Sequence, residues 1–318
     1  MLVFGASGTI GQAVVRALLD AGYQAVGFMR RSPANERLAE ALRGDGAEIR
    51  FGDVIDPQSV TQAFEGTSEG KRIDAVISCI ASRTGSKRDA DRIDFQANLD
   101  VLDAADAAGV KQFVLLSAIC VQKPRLAFQH AKLRFERRLQ VSGLNWSIVR
   151  PTAFFKSLSG QAERVKAGKP FLLFGDGELT RCKPISDADL ARFIVECLSD
   201  PAKQRAILPV GGPGPAISLK EQGEMLLEAA GKPARFRSVP VGMFSLVAGL
   251  LTPFSWVSGW AAEKREYARI GRYYATESML VWDPKLRVYS AEATPEYGSD
   301  TLAEHYRQVL GKSAKSKT

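Results

Sequence analysis

An α/β fold, a doubly wound parallel sheet with a smaller interleaved C-terminal lobe, is predicted by three observations on the 318-residue sequence. Short β-rich runs alternate with amphipathic helical patterns through residues 1–150, as parallel strands joined by crossover helices require. Those runs are largely apolar from end to end, which suits strands covered by helices on both faces. A glycine-rich turn, Gly5 to Gly11, separates the first run from the first helical pattern.

Each element follows in order. Leu2–Phe4 reads as the first strand, and Ile10–Ala21 as a helix stopped by Gly22. Gln24–Met29 is a second strand, and Asn35–Leu42 a helix running into the Gly44–Gly46 turn. Glu48–Phe51, Ala75–Cys79 and Phe113–Ser117 are further strands, and Ser147–Arg150 is a sixth, ended by Pro151. Turns then dominate at Gly168-Lys169-Pro170 and Phe174-Gly175-Asp176-Gly177. Asp187–Leu198 and Gln222–Ala230 read as helices, with Ile207–Val210 returning as a seventh strand between them. From Val239 onward the pattern is irregular and rich in aromatics.

Composition bounds the function. With 45% hydrophobic and 25% charged residues, the chain is ordinary globular material, one large domain or two closely joined ones. Cys79, Cys120, Cys182 and Cys197 are scattered without metal-ligand spacing, so reduced thiols in a cytoplasmic compartment and no metal site are expected. The net charge of +8 contains no dense basic run and no nucleic-acid motif. It favours an anionic small molecule or an anionic lipid surface over nucleic acid. Val239–Ala262 is the most apolar stretch, but Ser245, Pro253, Ser255 and Ser258 interrupt it. A buried core segment is the preferred reading, and peripheral membrane contact the most it otherwise allows. The first strand starts at Met1, so no signal or transit peptide is expected.

Gly5-Ala6-Ser7-Gly8-Thr9-Ile10-Gly11 lies between a strand and a helix, which is the dinucleotide-binding turn of a Rossmann-type sheet. Its first glycine permits the tight turn, its second lets backbone approach a pyrophosphate, and its third allows close helix–strand packing. The pyrophosphate then sits on the helix N-terminus. At the end of the second strand stand Arg30 and Arg31 rather than a ribose-gripping acid. A guanidinium suits a 2′-phosphate, so NADPH is the expected cofactor. Asp53, followed by Val54, stands where a carboxylate accepts from the adenine amino group, with a helix N-cap as its competing role. Cys79, Ala81 and Ser82 follow the fourth strand and are expected to border the cofactor, Cys79 as a small buried residue.

In this order the pieces resemble the extended and atypical short-chain dehydrogenase/reductases. The resemblance assigns Asn98 to the fourth helix, Ser117 to the catalytic serine position, and Lys132 to the lysine that binds the nicotinamide ribose. Pro151 and Thr152 complete the expected cofactor contacts. The family's tyrosine is replaced by Phe128. A phenyl ring cannot protonate a carbonyl oxygen, which puts ordinary ketone or alcohol chemistry in doubt.

Longer segments narrow the resemblance. Phe113–Pro124, Ser147–Gln161, Phe174–Glu178, Arg181–Ser186 and Ala268–Leu280 are similar to the divinyl chlorophyllide 8-vinyl reductases of chlorophyll and bacteriochlorophyll synthesis. The plant members carry a plastid transit peptide, so its absence implies a bacterial source. The resemblance implies hydride transfer from NADPH to the C8 vinyl of an anionic magnesium-tetrapyrrole, with no flavin, cluster or obligatory electron-transfer partner. The site's task is then to hold a flat ring over the nicotinamide. Phe154, Phe155, Phe171, Trp256, Trp260, Tyr273 and Tyr274 are candidate pocket aromatics, most of them expected in the core. Lys156, Arg181, Lys183 and Arg272 are candidate partners for a propionate. His130 reads as a surface or packing histidine rather than a magnesium ligand. Ser117, Cys120, Tyr273, Tyr274 or a water are candidate proton donors. Residues 1–150 are thus expected to bind NADPH and residues 151–318 mainly the substrate. A cytoplasmic protein is expected, with peripheral contact at a photosynthetic membrane left open. The rival reading is a non-catalytic NADP(H)-sensing or assembly protein on the same fold.

Overall fold

Parallel strands make the backbone of the computed structural model, which describes residues 1–66, 72–252 and 258–315. The main sheet has seven strands in the order β3-β2-β1-β4-β5-β6-β9. Its strands are β1 (Leu2–Phe4), β2 (Val26–Met29), β3 (Glu48–Phe51), β4 (Ala75–Ser78), β5 (Gln112–Leu116), β6 (Asn145–Pro151) and β9 (Ala206–Val210). From β3 through β6 neighbouring strands pair in parallel. The order reverses between β1 and β4, which opens a crevice beyond their carboxyl ends where ligands of such sheets bind.

The connecting helices are α1 (Thr9–Asp20), α2 (Pro33–Gly44), α3 (Pro57–Gln62), α4 (Asn98–Ala107) and α5 (Ala127–Gln140). Ser32 caps α2, its hydroxyl accepting from the Asn35 N–H, and Asp56 caps α3 through the Gln58 N–H. A π-helical run, Ala90–Ala97, leads directly into α4. Phe4, Phe28, Val76, Phe113, Phe135, Leu139 and Ile148 belong to one buried cluster on the sheet. Burial of each such side chain is worth about 1.5–3 kcal/mol, the main term holding strands and helices together.

The chain divides into two compact units, Met1–Arg150 with Leu190–Leu208, and Pro151–Asp189 with Pro209–Thr318. The helix α6 (Asp187–Glu196) begins in the second and continues into the first. The second unit holds β7 (Phe171–Phe174), β8 (Arg181–Cys182), β10 (Ile217–Ser218), α7 (Leu219–Ala229) and β11 (Phe236–Val239). There β7 pairs with β11 in parallel, and β8 with β10 antiparallel. Its core gathers Phe155, Val165, Phe171, Leu226 and Tyr306.

Beyond Val239 the structure corrects the sequence reading. The stretch is regular, with α8 (Gly242–Leu251) and α9 (Gly259–Thr276) packed on each other, then the β12 (Val281–Asp283) and β13 (Val288–Ser290) hairpin, then α10 (Leu302–Lys315). Helix α8 carries no polar face, so no amphipathic period marks it in the sequence. Trp256 and the side chain of Trp260 lie outside the described residues. No helix among the described residues is long and apolar enough to cross a membrane.

Candidate functional site

The glycine turn has the geometry a dinucleotide needs. Gly5 has φ +78°, and a side chain there would sit 2.8 Å from the Cys79 carbonyl oxygen at the end of β4. A Cβ on Gly11 would lie 2.2 Å from the Gly5 carbonyl oxygen. Only glycine lets turn, helix and neighbouring strand approach this closely. Helix α1 has Gly8 at its N-cap, with no side-chain cap and no acid in its first turn. Its positive end is therefore available to an anion, as a pyrophosphate site requires. Ala6 is buried beneath the turn, while Ser7 is half-buried and Gly8 exposed at its rim.

At the end of β2 the two arginines differ. Arg31 is paired with Glu36 at 3.1 Å, and its guanidinium lies over the Phe51 ring at 4.4 Å. Arg30 is exposed, and among the described residues its guanidinium has no partner. Asp53 accepts from the Ile55 N–H at 3.2 Å, and the helix cap expected as its competing role belongs to Asp56. Val54 packs against the core. Gly52 lets β3 approach Phe28, whose ring would lie 2.5 Å from a Cβ there.

Beyond β4 lies a buried polar cluster. The ammonium of Lys132 lies 3.0 Å from Asp94 Oδ1, with side chains 10% and 1% exposed. The Ser82 N–H donates to the same oxygen at 3.3 Å, and Asp94 Oδ2 has no hydrogen-bond partner. Asn98 is locked by the Ser78 hydroxyl on its Oδ1 and by its own donation to the Ile93 and Asp94 carbonyls. Cys79, expected as a buried residue, is half-buried; it is close enough to feel Lys132, yet desolvation of its thiol outweighs that cation and pushes it up to about 12. It stays protonated near neutral pH and is no nucleophile. Ala81 is exposed on the loop that follows. Lys132 belongs to the buried face of α5, which Gln129 seats by accepting from the Arg125 and Leu126 N–H groups. Phe128 stands one helical turn earlier and is half-buried, and His130 is exposed.

Ser117 follows β5 but joins a separate network. Its hydroxyl donates to Glu136 Oε1 at 2.5 Å, and Arg150 grips both oxygens of that carboxylate. Glu136 is 1% exposed and Arg150 16%. The Ser117 hydrogen is thus directed at Glu136. Cys120 is buried in the short 3₁₀ turn that follows.

The second unit distributes its candidates. Pro151 and Thr152 are buried, and the Thr152 hydroxyl donates to the Lys183 carbonyl. Phe154 is half-buried and bridges to Ile185, whereas Phe155 is in the core against the His305 ring. Tyr273 is buried and meets the exposed Tyr274 edge-on. Arg181 is engaged by Glu178, Glu221 and the Ala216 carbonyl. Lys183 is buried and paired with Glu296 at 2.5 Å, so the propionate role considered for it is taken by an internal acid. Arg272 is exposed. Among the described residues no cluster suited to a metal occurs.

Sequence reasoning missed Asp94 and Glu136. Glu136 had a signal, standing four residues after Lys132 on one face of α5; Asp94 had none, because it lies in the π-helical run.

Residues 5–201 match the model of an NAD(P)H-binding family. The chain is 46% identical over 322 residues to a chloroplastic divinyl chlorophyllide a 8-vinyl-reductase of Oryza sativa subsp. indica, covering 98% of this chain and 78% of the relative. It is 43% identical over 320 residues to the protein of that name in Arabidopsis thaliana, covering 98% and 76%. In fold it is similar to an NADPH-dependent quinone oxidoreductase of Escherichia coli solved with NADPH, at a TM-score of 0.69 and 20% identity over 97% of this chain and 99% of the other.

Proposed function

The chain belongs to the NAD(P)H-binding family and, within it, to the divinyl chlorophyllide a 8-vinyl reductases, and on that premise we propose the following account of its reaction. It reduces the C8 vinyl group of a divinyl (proto)chlorophyllide to ethyl, an oxidoreductase step of chlorophyll synthesis. NADPH, when bound, supplies the hydride; a proton from elsewhere completes the ethyl group. The observation that carries this reading is a complete dinucleotide cradle beside a buried ammonium, with a phenyl ring where a phenolic acid would stand. Hydride delivered to the terminal vinyl carbon leaves negative charge spread over the conjugated ring. No alkoxide forms, so no phenol is needed.

The residues then divide the work. The turn from Gly5 to Gly11 and the N-terminus of α1 hold the pyrophosphate. Arg30, exposed and unpaired, takes the 2′-phosphate, while Arg31 is already engaged by Glu36. Asp53, Val54, Ala81 and Ser82 border the adenosine and the nicotinamide. Lys132, aimed by Asp94, holds the nicotinamide ribose, and its charge favours the anion developing on the pigment. Ser117 serves as a proton donor only if it gives up its bond to Glu136; Cys120, Tyr273, Tyr274 and water are the other candidate sources. The second unit receives the pigment, with Phe154 and Tyr274 offering ring faces and Arg272 a charge for the propionate.

Anaerobic incubation of the purified chain with NADPH and divinyl chlorophyllide, followed by chromatography, tests the reading. The 8-ethyl pigment should appear in step with NADPH loss, with no flavin or ferredoxin added. Bound NADPH that persists beside unchanged pigment would instead mark a non-catalytic sensor.

A further inference from the structure

Ten large apolar side chains are exposed among the described residues, and five of them lie on α8 and α9. Met243, Leu246 and Leu250 are 46%, 63% and 64% exposed. Their spacing of three and four residues sets them in one row along α8. The opposite side of α8 is satisfied: the Phe244 ring meets Phe174 at 5.1 Å and lies where a side chain on Gly271 of α9 would be. Tyr267 and Tyr274 on α9 are 48% and 45% exposed. No charged residue occurs from Val239 to Ala262. Water therefore faces a helix that has no polar side to offer it, which is the mark of a contact surface rather than of scattered surface apolarity.

The charges that flank this row in the sequence point to the kind of surface it would meet. From Lys232 to Arg272 the chain has seven Lys and Arg against two Glu, a net +5 of the whole chain's +8. Among the described residues Lys232, Arg235, Arg237 and Arg265 pair with no carboxylate. Lys232 and Arg235, with Lys169, rim a hollow of about 270 Å³ floored by Val165 and Leu227. Arg235 then runs directly into β11, which ends three residues before α8 begins.

We propose that the row Met243–Leu246–Leu250, flanked by these cations, docks the second unit on an anionic lipid bilayer. Apolar side chains enter the acyl boundary while neighbouring cations meet anionic headgroups, the combination that holds interfacial helices. A helix of 10 residues is about 15 Å long, half the hydrocarbon thickness, so α8 lies on the surface and does not span. A second copy of the chain is the poorer occupant, since a two-fold contact would oppose two patches of the same positive sign. The inference goes beyond vinyl reduction and does not depend on it.

The test is flotation of the full-length chain with vesicles of phosphatidylcholine mixed with phosphatidylglycerol, and with pure phosphatidylcholine. Binding is expected to the mixed vesicles only. It should weaken in about 1 M salt, where charges are screened beyond about 3 Å. The double variant Leu246→Glu/Leu250→Glu should bind the mixed vesicles at least about tenfold more weakly, with its circular-dichroism melt and NADPH affinity unchanged. If that variant does not fold, Arg235→Ala/Arg237→Ala serves instead and should lose the preference for anionic lipid. The proposal is overturned if the wild type does not float with anionic vesicles, or if the folded variants float as well as it does. A dimer seen by light scattering that Leu246→Glu/Leu250→Glu dissociates would also overturn it and assign the row to a second copy. None of these readouts uses the pigment, so a failure here is distinct from a failure of the reductase reading.

Discussion

The buried ion pairs of the first unit and helix α8 of the second treat charge and apolar surface in opposite ways. The first unit hides charges: Asp94 and Glu136 are each 1% exposed, and each is held against a cation. Helix α8 leaves Leu246 and Leu250 more than half exposed, and Lys232, Arg235 and Arg237, close to it in sequence, are exposed. Removing charges from water is costly unless each is paired and hydrogen-bonded, so the first unit's pairs fix groups in place where small displacements matter. An exposed apolar helix is tolerated only where something else covers it. The buried pairs of the first unit are organised for positioning, and α8 of the second for contact.

The largest expected effect breaks a buried pair of the first unit. Glu136→Ala strands Arg150 and removes the acceptor of Ser117, and urea titration should show a loss of about 3–5 kcal/mol. Glu136→Gln should lose less, because it keeps a hydrogen-bonding oxygen. A loss below about 1 kcal/mol would put this pair in the class of exposed ones and blunt the contrast between the units.

Turnover comes next. Lys132→Met should lower kcat by about 10²–10³-fold while NADPH still binds, as measured by single-turnover kinetics and fluorescence titration. Phe128→Tyr should leave the rate nearly unchanged or lower it by crowding. An acceleration of about tenfold or more, even short of the roughly 10²–10⁴-fold typical of a general acid, would show a site short of protons and defeat the argument from Phe128.

Cofactor choice sharpens the comparison within one unit. Arg30→Glu should weaken NADPH binding by about 10–100-fold, in line with loss of a charge-assisted hydrogen bond, with NADH affected far less. Arg31→Glu should cost less, because Glu36 and Phe51 already occupy that guanidinium. Equal losses with both cofactors would remove Arg30 from the phosphate.

The smallest effect lies in the second unit. Glu296 is held below the usual carboxylate range, first by its hydrogen bond from Lys183 and then by the Gly214 N–H. Because folding depresses this pKa, the stabilisation is complete above the unfolded value of about 4.3 and fades as pH falls through the folded one. Glu296→Gln should therefore lower Tm modestly at neutral pH, where the stabilisation is complete, and flatten the acid limb of a Tm-versus-pH curve, so that the two proteins converge in acid. An unaltered acid limb would mean that the pair is not what holds Lys183.

The same contrast explains what the sequence made legible. The strands of the first unit were read to within a residue or two, because buried parallel strands are apolar runs bounded by glycine and polar turns. The turn from Gly5 to Gly11 and the arginines at the end of β2 stood out for the same reason. Which arginine is free did not, since it depends on Glu36 and Phe51, neither adjacent to it. Asp94 was hidden in the π-helical run, where the expected spacing shifts. In the second unit the strands of two residues at Arg181–Cys182 and Ile217–Ser218 are too short for any alternation to show. Helix α8 was unreadable for the reason that makes it functional: apolar all round, it has no period to find.

Direct hydride transfer to the vinyl group is the central claim, and an isotope reports it most directly. The chain is incubated anaerobically with divinyl chlorophyllide and NADPH deuterated in the transferable position, and the pigment is analysed by mass spectrometry and proton NMR. One deuterium should appear per molecule, in the terminal methyl of the new ethyl group, with the inner carbon's hydrogen drawn from solvent. An ethyl group free of deuterium, or formed only when flavin or ferredoxin is present, would contradict the account.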